Sequence, residues 1–253
     1  MIKSSKIALL AAAGAMALTM SAAQAWNEGG GEQDEATVMY QTFKAKTPEE
    51  MEKIRADGLA VYEVCSACHL PEGWGSADGT FPQIAGQHAD VIIKQLADIR
   101  ALNRDNPTMY PFALPKEIEA VAPEVGGGPY AIAAVAYYIQ QLKMNPEPGV
   151  GAGDDLEHGA QLYKDNCVRC HGEQGEGNNE KYFPRIQGQH YEYLLRQYVW
   201  IKEGKRRNAN PDMVEQIKNF TDKDTKAVLD YVSRLKAPAE MVAPVGYINP
   251  DFD

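Results

Sequence analysis

Apolar positions along the chain recur at three- and four-residue intervals, with no convincing every-other-residue alternation, which predicts helices and no sheet. The first run opens at Thr47-Pro48-Glu49-Glu50, where a hydroxyl N-cap, a proline at the first helical position and a glutamate three residues on form a start signal; Met51, Ile54, Val61 and Tyr62 then fall on compatible faces. Asp154 and Glu157 are expected to play the same capping roles ahead of Leu162 and Tyr163. Amphipathic runs follow at Val91, Ile92, Leu96 and Ile99 and at Tyr191, Leu194, Leu195 and Tyr198. Closing helices are expected at about 130–143 and 222–236, the second opened by Thr221 with Asp224 three residues on. The expected fold class is all-α.

These elements come in two sets. Cys65-Ser66-Ala67-Cys68-His69 returns as Cys167-Val168-Arg169-Cys170-His171, and Phe81-Pro82-Gln83-Ile84-Ala85-Gly86-Gln87-His88 returns as Phe183-Pro184-Arg185-Ile186-Gln187-Gly188-Gln189-His190, both 102 residues on. Asn106-Pro107-Thr108-Met109 answers Asn210-Pro211-Asp212-Met213 at an offset of 104, and Tyr138 answers Tyr231 at 93, so the first copy has about eleven extra residues around 116–128. A Pro/Gly linker at 146–153 then separates two tandem domains, 48–145 and 154–237. An acidic, Gly-rich stretch at 26–47 and a Pro-containing tail at 238–253 read as extensions.

Residues 1–25 carry Lys3 and Lys6, then an apolar run from Ile7 to Met20, then Ala23-Gln24-Ala25. That is the pattern of a secretory signal peptide cleaved near Ala25, since a spanning helix needs about 20 apolar residues. A periplasmic location is therefore expected. With a formal net charge of −10 the chain is a poor match to the phosphate backbone of nucleic acid. The charge is uneven: residues 48–145 hold 7 Lys and Arg against 13 Asp and Glu, whereas residues 154–237 hold 14 of each.

The repeated C-x-x-C-H takes up all four cysteines, and this spacing is the attachment signature of c-type haem. On a helical turn two thiols three residues apart share a face and can form thioether links to one flat macrocycle, while the next residue turns its imidazole toward the iron. A redox C-x-x-C would want a βαβ surround and has no need of a trailing histidine. A zinc site would have to draw ligands across two copies that each look complete. Cys65 and Cys68, and Cys167 and Cys170, are thus the expected attachment points, with His69 and His171 as proximal ligands by position. The distal candidates are Met109 and Met213, 40 and 42 residues further on, each after an Asn-Pro pair. A methionine in such a place is otherwise simply core. His88 and His190 also match between the copies and are the rivals, although both open amphipathic helices.

On these motifs the chain resembles the dihaem class I cytochromes c, the cytochrome c4 family above all, over the two C-x-x-C-H motifs, the paired F-P-x-I-x-G-Q segments and the matched methionines. Cys68-His69-Leu70 departs from the usual C-H-G, and the 26–47 and 116–128 segments are further departures. The resemblance implies two class I cytochrome c domains with two covalent haems, His/Met ligation, carbonyls of Pro82 and Pro184 accepting a bond from the proximal histidines, and Ile84 and Ile186 packed on the haems. It also implies haems close together across a domain interface and delivery of electrons to a terminal oxidase or another periplasmic acceptor. If both irons hold six strong ligands no position is open to substrate, so the expected activity is electron carriage and not catalysis. The alternative is an electron-accepting subunit of a periplasmic redox enzyme, or such an enzyme itself, a sulfur-compound dehydrogenase or a peroxidase. Lys202, Lys205, Arg206 and Arg207, just before the Met213 loop, are candidates for steering an acidic partner, with a helix C-cap as the plainer reading.

Overall fold

A computed structural model describes residues 31–252; the expected signal peptide lies outside the described residues. The helices are α1 (Gly31–Thr42), α2 (Pro48–His69), α3 (Ala89–Arg100), α4 (Tyr110–Ala113), α5 (Pro115–Val121), α6 (Pro129–Gln141), α7 (Leu156–Asn166), α8 (Val168–His171), α9 (Tyr191–Lys202), α10 (Pro211–Ile217) and α11 (Asp222–Ser233). Among the described residues extended pairing is confined to two isolated bridges, Met144 with Val242 and Asn178 with Phe183.

Helix starts follow the side chains available to satisfy the first free N–H groups. Thr47 and Glu50 form a reciprocal capping box at α2, and Thr221 and Asp224 form another at α11. The expected cap at Asp154 is not made. Helix α7 starts at Leu156 after Asp155, whose carboxylate pairs instead with Lys223 at 2.9 Å. In each half the first helix crosses the last at a glycine. A Cβ on Gly58 would lie 2.3 Å from the Ala134 carbonyl oxygen, and one on Gly159 2.1 Å from that of Ala227, so only glycine permits the approach. Around these crossings lie two cores, one built on Val61, Tyr62, Ile93, Ile132, Val135 and Tyr138, the other on Tyr163, Leu194, Tyr198, Val228, Leu229 and Val232. Each fully buried aliphatic side chain here contributes roughly 1.5–3 kcal/mol.

The glycine pair is 101 residues apart and the cysteine pair 102, so the second half has one extra residue between Tyr163 and Cys167. Where α2 runs unbroken through Cys65 to His69, the second half breaks at Cys167, between α7 and α8.

The 26–47 extension, as far as it is described, lies on the first half. Phe43 packs edge-on against Tyr130 and Tyr137 of α6, and Gln140 donates to the Tyr40 hydroxyl at 2.7 Å. The two halves meet through a pseudo-twofold seam. The Gln87 side chain accepts from the Arg185 N–H and donates to the Arg185 carbonyl, both at 2.9 Å. Its counterpart Gln189 does the same to Gln83, at 3.0 and 2.8 Å. Met144, 2% exposed, lies between the matched Gly86 and Gly188.

Candidate functional site

Helical geometry places Cys65, Cys68 and His69 on the last two turns of α2, with both thiols on one face. The four thiols are unpaired, and burial pushes those of Cys65 and Cys167 up to about 12. Such thiols are poorly suited to act as thiolate redox groups at neutral pH.

Each histidine is held the same way. His69 Nδ1 lies 2.9 Å from the Pro82 carbonyl oxygen and His171 Nδ1 lies 3.1 Å from that of Pro184. A carbonyl only accepts, so Nδ1 carries the proton and donates, which leaves the Nε2 lone pair free. Burial lowers both imidazole pKa values, against a smaller opposing pull from the proline carbonyls, so both rings are neutral at pH 7. The loop after each histidine is tied down by matching bonds: Gly75 N–H to the His69 carbonyl (3.0 Å) and Gly177 N–H to that of His171 (2.8 Å), with Ile84 N–H to Gly73 and Ile186 N–H to Gly175 (both 2.8 Å).

Ile84 packs on the first core; Ile186 and Met213 pack on the second. Met109 is half-buried and precedes the four-residue α4, whereas Met213 lies inside α10. The Asn-Pro pairs make these turns: the Asn106 side chain accepts from Met109 N–H at 3.2 Å and that of Asn210 from Asp212 N–H at 2.8 Å. His88 and His190 are occupied elsewhere. His88 Nε2 meets the Glu176 carbonyl at 2.7 Å and His190 Nε2 the Trp74 carbonyl at 2.6 Å, each across the seam. His190 Nδ1 also accepts from Gly149 N–H at 3.0 Å.

The four basic residues expected as a steering patch divide between the seam and the surface, with Lys205 and Arg207 exposed. Arg206 lies in the seam, where it donates to Gln197 and Gln95, both at 3.0 Å. Arg207 donates across the seam to the Leu102 carbonyl at 2.6 Å, Lys202 to the Phe220 carbonyl, and Lys205 pairs with Glu203 at 2.7 Å. These charges are engaged within the molecule, and two of them hold the halves together.

Sequence reasoning missed the other members of this cluster. Arg104, 102 residues before Arg206, donates to Gln95 (2.9 Å), Gln197 (3.3 Å) and the Tyr193 hydroxyl (3.3 Å). Gln95 and Gln197 are themselves 102 apart, so the repeat held the signal. Among the described residues no carboxylate lies within hydrogen-bonding distance of either guanidinium. Burial, and then Arg104, push the Arg206 pKa down to about 10, against smaller opposing pulls from Tyr193 and Asp98. Arg104 is also close enough for its charge to lower the His69 pKa, a smaller effect than burial. A c-type haem carries two carboxylates, so the donor set fits it: thiols for attachment, a neutral imidazole for the iron, guanidiniums for the acid groups.

The cytochrome c family model matches the chain twice, at residues 55–143 and 156–236. Cytochrome c4 of Azotobacter vinelandii is 32% identical over 192 residues, covering 71% of this chain and 88% of that protein. The thiosulfate dehydrogenase electron acceptor of Stutzerimonas stutzeri is 31% identical over 199 residues, covering 73% and 89%. Among solved structures, reduced recombinant cytochrome c4 from Pseudomonas stutzeri superposes with a TM-score of 0.57 at 26% identity, over 71% of this chain and 97% of that one. Thiosulfate dehydrogenase from Marichromatium purpuratum gives 0.56 at 26% identity, over 71% of this chain and 40% of that one.

Proposed function

The chain belongs to the cytochrome c family, as a two-domain relative of cytochrome c4 that carries two covalently attached haems, and we propose that it is an exported electron carrier between periplasmic redox proteins. The observation that carries this reading is the matched pair of neutral histidines, each with Nδ1 on a proline carbonyl and Nε2 free. The haem iron, when bound, accepts and releases one electron. Pro82 and Pro184 fix each imidazole ring and raise its basicity toward the metal. Met109 and Met213 supply the sixth ligands in this proposal, since His88 and His190 are spent on the seam. With each iron held by a histidine and a methionine, the haems would exchange electrons and would not take up a small substrate.

Arg104 and Arg206 would serve as partners for haem carboxylates, which would lower the energy of keeping acid groups out of water. Residues 48–145 and 154–237 are the two electron-carrying units, joined by 146–153, and the mature chain begins after Ala25. Electrons pass from a donor protein to an acceptor such as a terminal oxidase. A second reading, the electron-accepting subunit of a sulfur-compound dehydrogenase, is favoured by the relative of that name. The deciding experiment is a spectroelectrochemical titration of purified protein with a turnover screen on peroxide and thiosulfate. Two reversible one-electron waves without turnover support the carrier; turnover on thiosulfate only when a dehydrogenase is added supports the subunit, and turnover alone overturns both.

A further inference from the structure

The tail, described over residues 238–252, leaves the second half and finishes on the first. It runs beside Met144, with Met144 N–H donating to the Met241 carbonyl at 2.8 Å and Ala243 N–H to that of Met144 at 2.9 Å. It then reaches the segment that follows His69. Asn249, 1% exposed, donates its amide to the Pro71 carbonyl at 2.7 Å and to the Tyr138 hydroxyl at 3.1 Å, and its N–H to the Glu72 carboxylate at 3.3 Å. The Tyr247 ring lies 6.2 Å from that of Trp74. Phe252 packs edge-on against Tyr62 at 6.0 Å, and the Tyr62 hydroxyl donates to the Leu70 carbonyl at 2.8 Å. Asp251 anchors the end, accepting from Tyr138 at 2.9 Å and pairing with Arg55 at 2.5 Å. The tail thus reaches Pro71, Glu72 and Trp74 directly, and Leu70 through Tyr62.

Among the described residues the second half has no such strap. Its Tyr163 hydroxyl donates to the Gly172 carbonyl at 2.6 Å, and Gln174 N–H is satisfied by the Glu176 carboxylate at 2.8 Å. Gly172 sits at φ 79°, ψ 170°, and Leu70 in the matching place is at φ 67°, ψ 160° with its side chain 43% exposed. That backbone region is nearly closed to residues other than glycine and strains a leucine, so surrounding contacts must hold it there.

We propose that the C-terminal strap, residues 244–252, is a positioning element for the first haem site: it holds residues 70–74 in the conformation that the Gly172 segment of the second site adopts without contacts from the tail. The proposal rests on the reading of His69 as a proximal ligand. If the strap is released, Leu70 relaxes toward ordinary backbone angles, the loop carrying the His69 carbonyl bond to Gly75 loosens, and water reaches the first site. Water stabilises ferric iron, so the potential of that site falls.

The test compares full-length protein with a chain ended after Ala243, with Asn249→Ala and Phe252→Ala in the full chain, and with Leu70→Gly added to the shortened chain. Haem is first quantified against protein; fewer than two haems in the wild type defeats the underlying reading and not the strap. The two midpoint potentials are then resolved by spectroelectrochemistry, and assigned to sites with Met109→Ala and Met213→Ala proteins. The expected result is a lowered first-site potential in the shortened chain, a smaller lowering in both point variants, an unmoved second site, and recovery on adding Leu70→Gly. Unmoved potentials, equal movement of both sites, or no recovery with Leu70→Gly overturns the proposal. Should the shortened chain fail to fold, the two point variants decide alone, because each alters one contact of the strap.

Discussion

Replacing Gln189 by alanine tests whether the seam makes the two halves one cooperative unit. The Gln189 side chain is the partner of both the N–H (3.0 Å) and the carbonyl (2.8 Å) of Gln83, and it also accepts from His190 N–H at 3.0 Å. Gln189 is 7% exposed, Gln83 4% and His190 1%, so truncation leaves three buried backbone groups without partners. At about 1–3 kcal/mol per unsatisfied buried group the loss is roughly 3–9 kcal/mol if the seam stays dry. The pseudo-symmetric Gln87→Ala removes the corresponding pair of bonds to Arg185, both 2.9 Å. Gln87 and Arg185 are only half-buried, however, so water can take over the freed groups. A loss of about 0.5–1.5 kcal/mol is expected there. The assay is urea unfolding of the haem-loaded protein, followed by far-ultraviolet circular dichroism and by haem absorbance. Wild type should unfold in one step and Gln189→Ala in two, because the weakened seam no longer transmits unfolding between the halves. Equal losses in the two variants, or a Gln189→Ala loss below about 0.5 kcal/mol, would refute the burial argument.

Further outcomes follow from other contacts. Met109→Ala and Met213→Ala should each halve the sulfur-to-iron charge-transfer absorption, and the double variant should abolish it; retention in the double variant removes both methionines as ligands. His190→Ala should leave that absorption intact and lower stability by about 1–3 kcal/mol, since the Trp74 carbonyl and Gly149 N–H lose their partner; its absorption spectrum and melting curve check this. Bonds from Thr221, and then from His158, hold the Asp224 carboxyl at about 2 against an ordinary 3.8. A carboxyl depressed on folding stabilises the protein above its unfolded pKa, and that contribution is lost as the pH falls from about 4 toward about 2. Asp224→Asn should flatten the stability curve over that window, and an unchanged slope in acid unfolding contradicts it.

Much of the site was legible because covalent attachment demands fixed residue types at fixed spacing. C-x-x-C-H and F-P-x-I have few other reasons to occur twice at one offset. Helix ends were legible where caps are self-contained, as at Thr47 with Glu50 and Thr221 with Asp224. Prediction failed at Asp154 because the neighbouring Asp155 was drawn to Lys223, a partner 68 residues away. The seam failed for the same reason on a larger scale. Gln87, Gln189, His88 and His190 belong to the repeated segments, yet their partners lie in the other copy, and no periodicity reports a contact between copies. Arg206 looked like one of four surface charges because its exposure depends on a neighbour the local pattern does not contain. The tail carries no helical period at all, and Asn249 gains its importance only from Pro71, Glu72 and Tyr138.

The distribution of matched and unmatched contacts bears on how two copies of one unit can come to differ. At the seam the copies are nearly interchangeable: Gln87 mirrors Gln189, His88 mirrors His190, Arg104 mirrors Arg206, and each pair makes corresponding bonds. Symmetry there has a physical basis, since a self-complementary surface satisfies both halves with one set of residues. Away from the seam the constraint lapses, and the differences collect on the first half: helix α1 over α6, the inserted α5, Leu70 in a glycine position, and the strap that restrains it. Two sites with the same histidine–proline bonds thus sit in different surroundings. Potential depends on burial and on nearby charge as well as on ligands, so unequal surroundings suffice to separate the two potentials without any change of ligand.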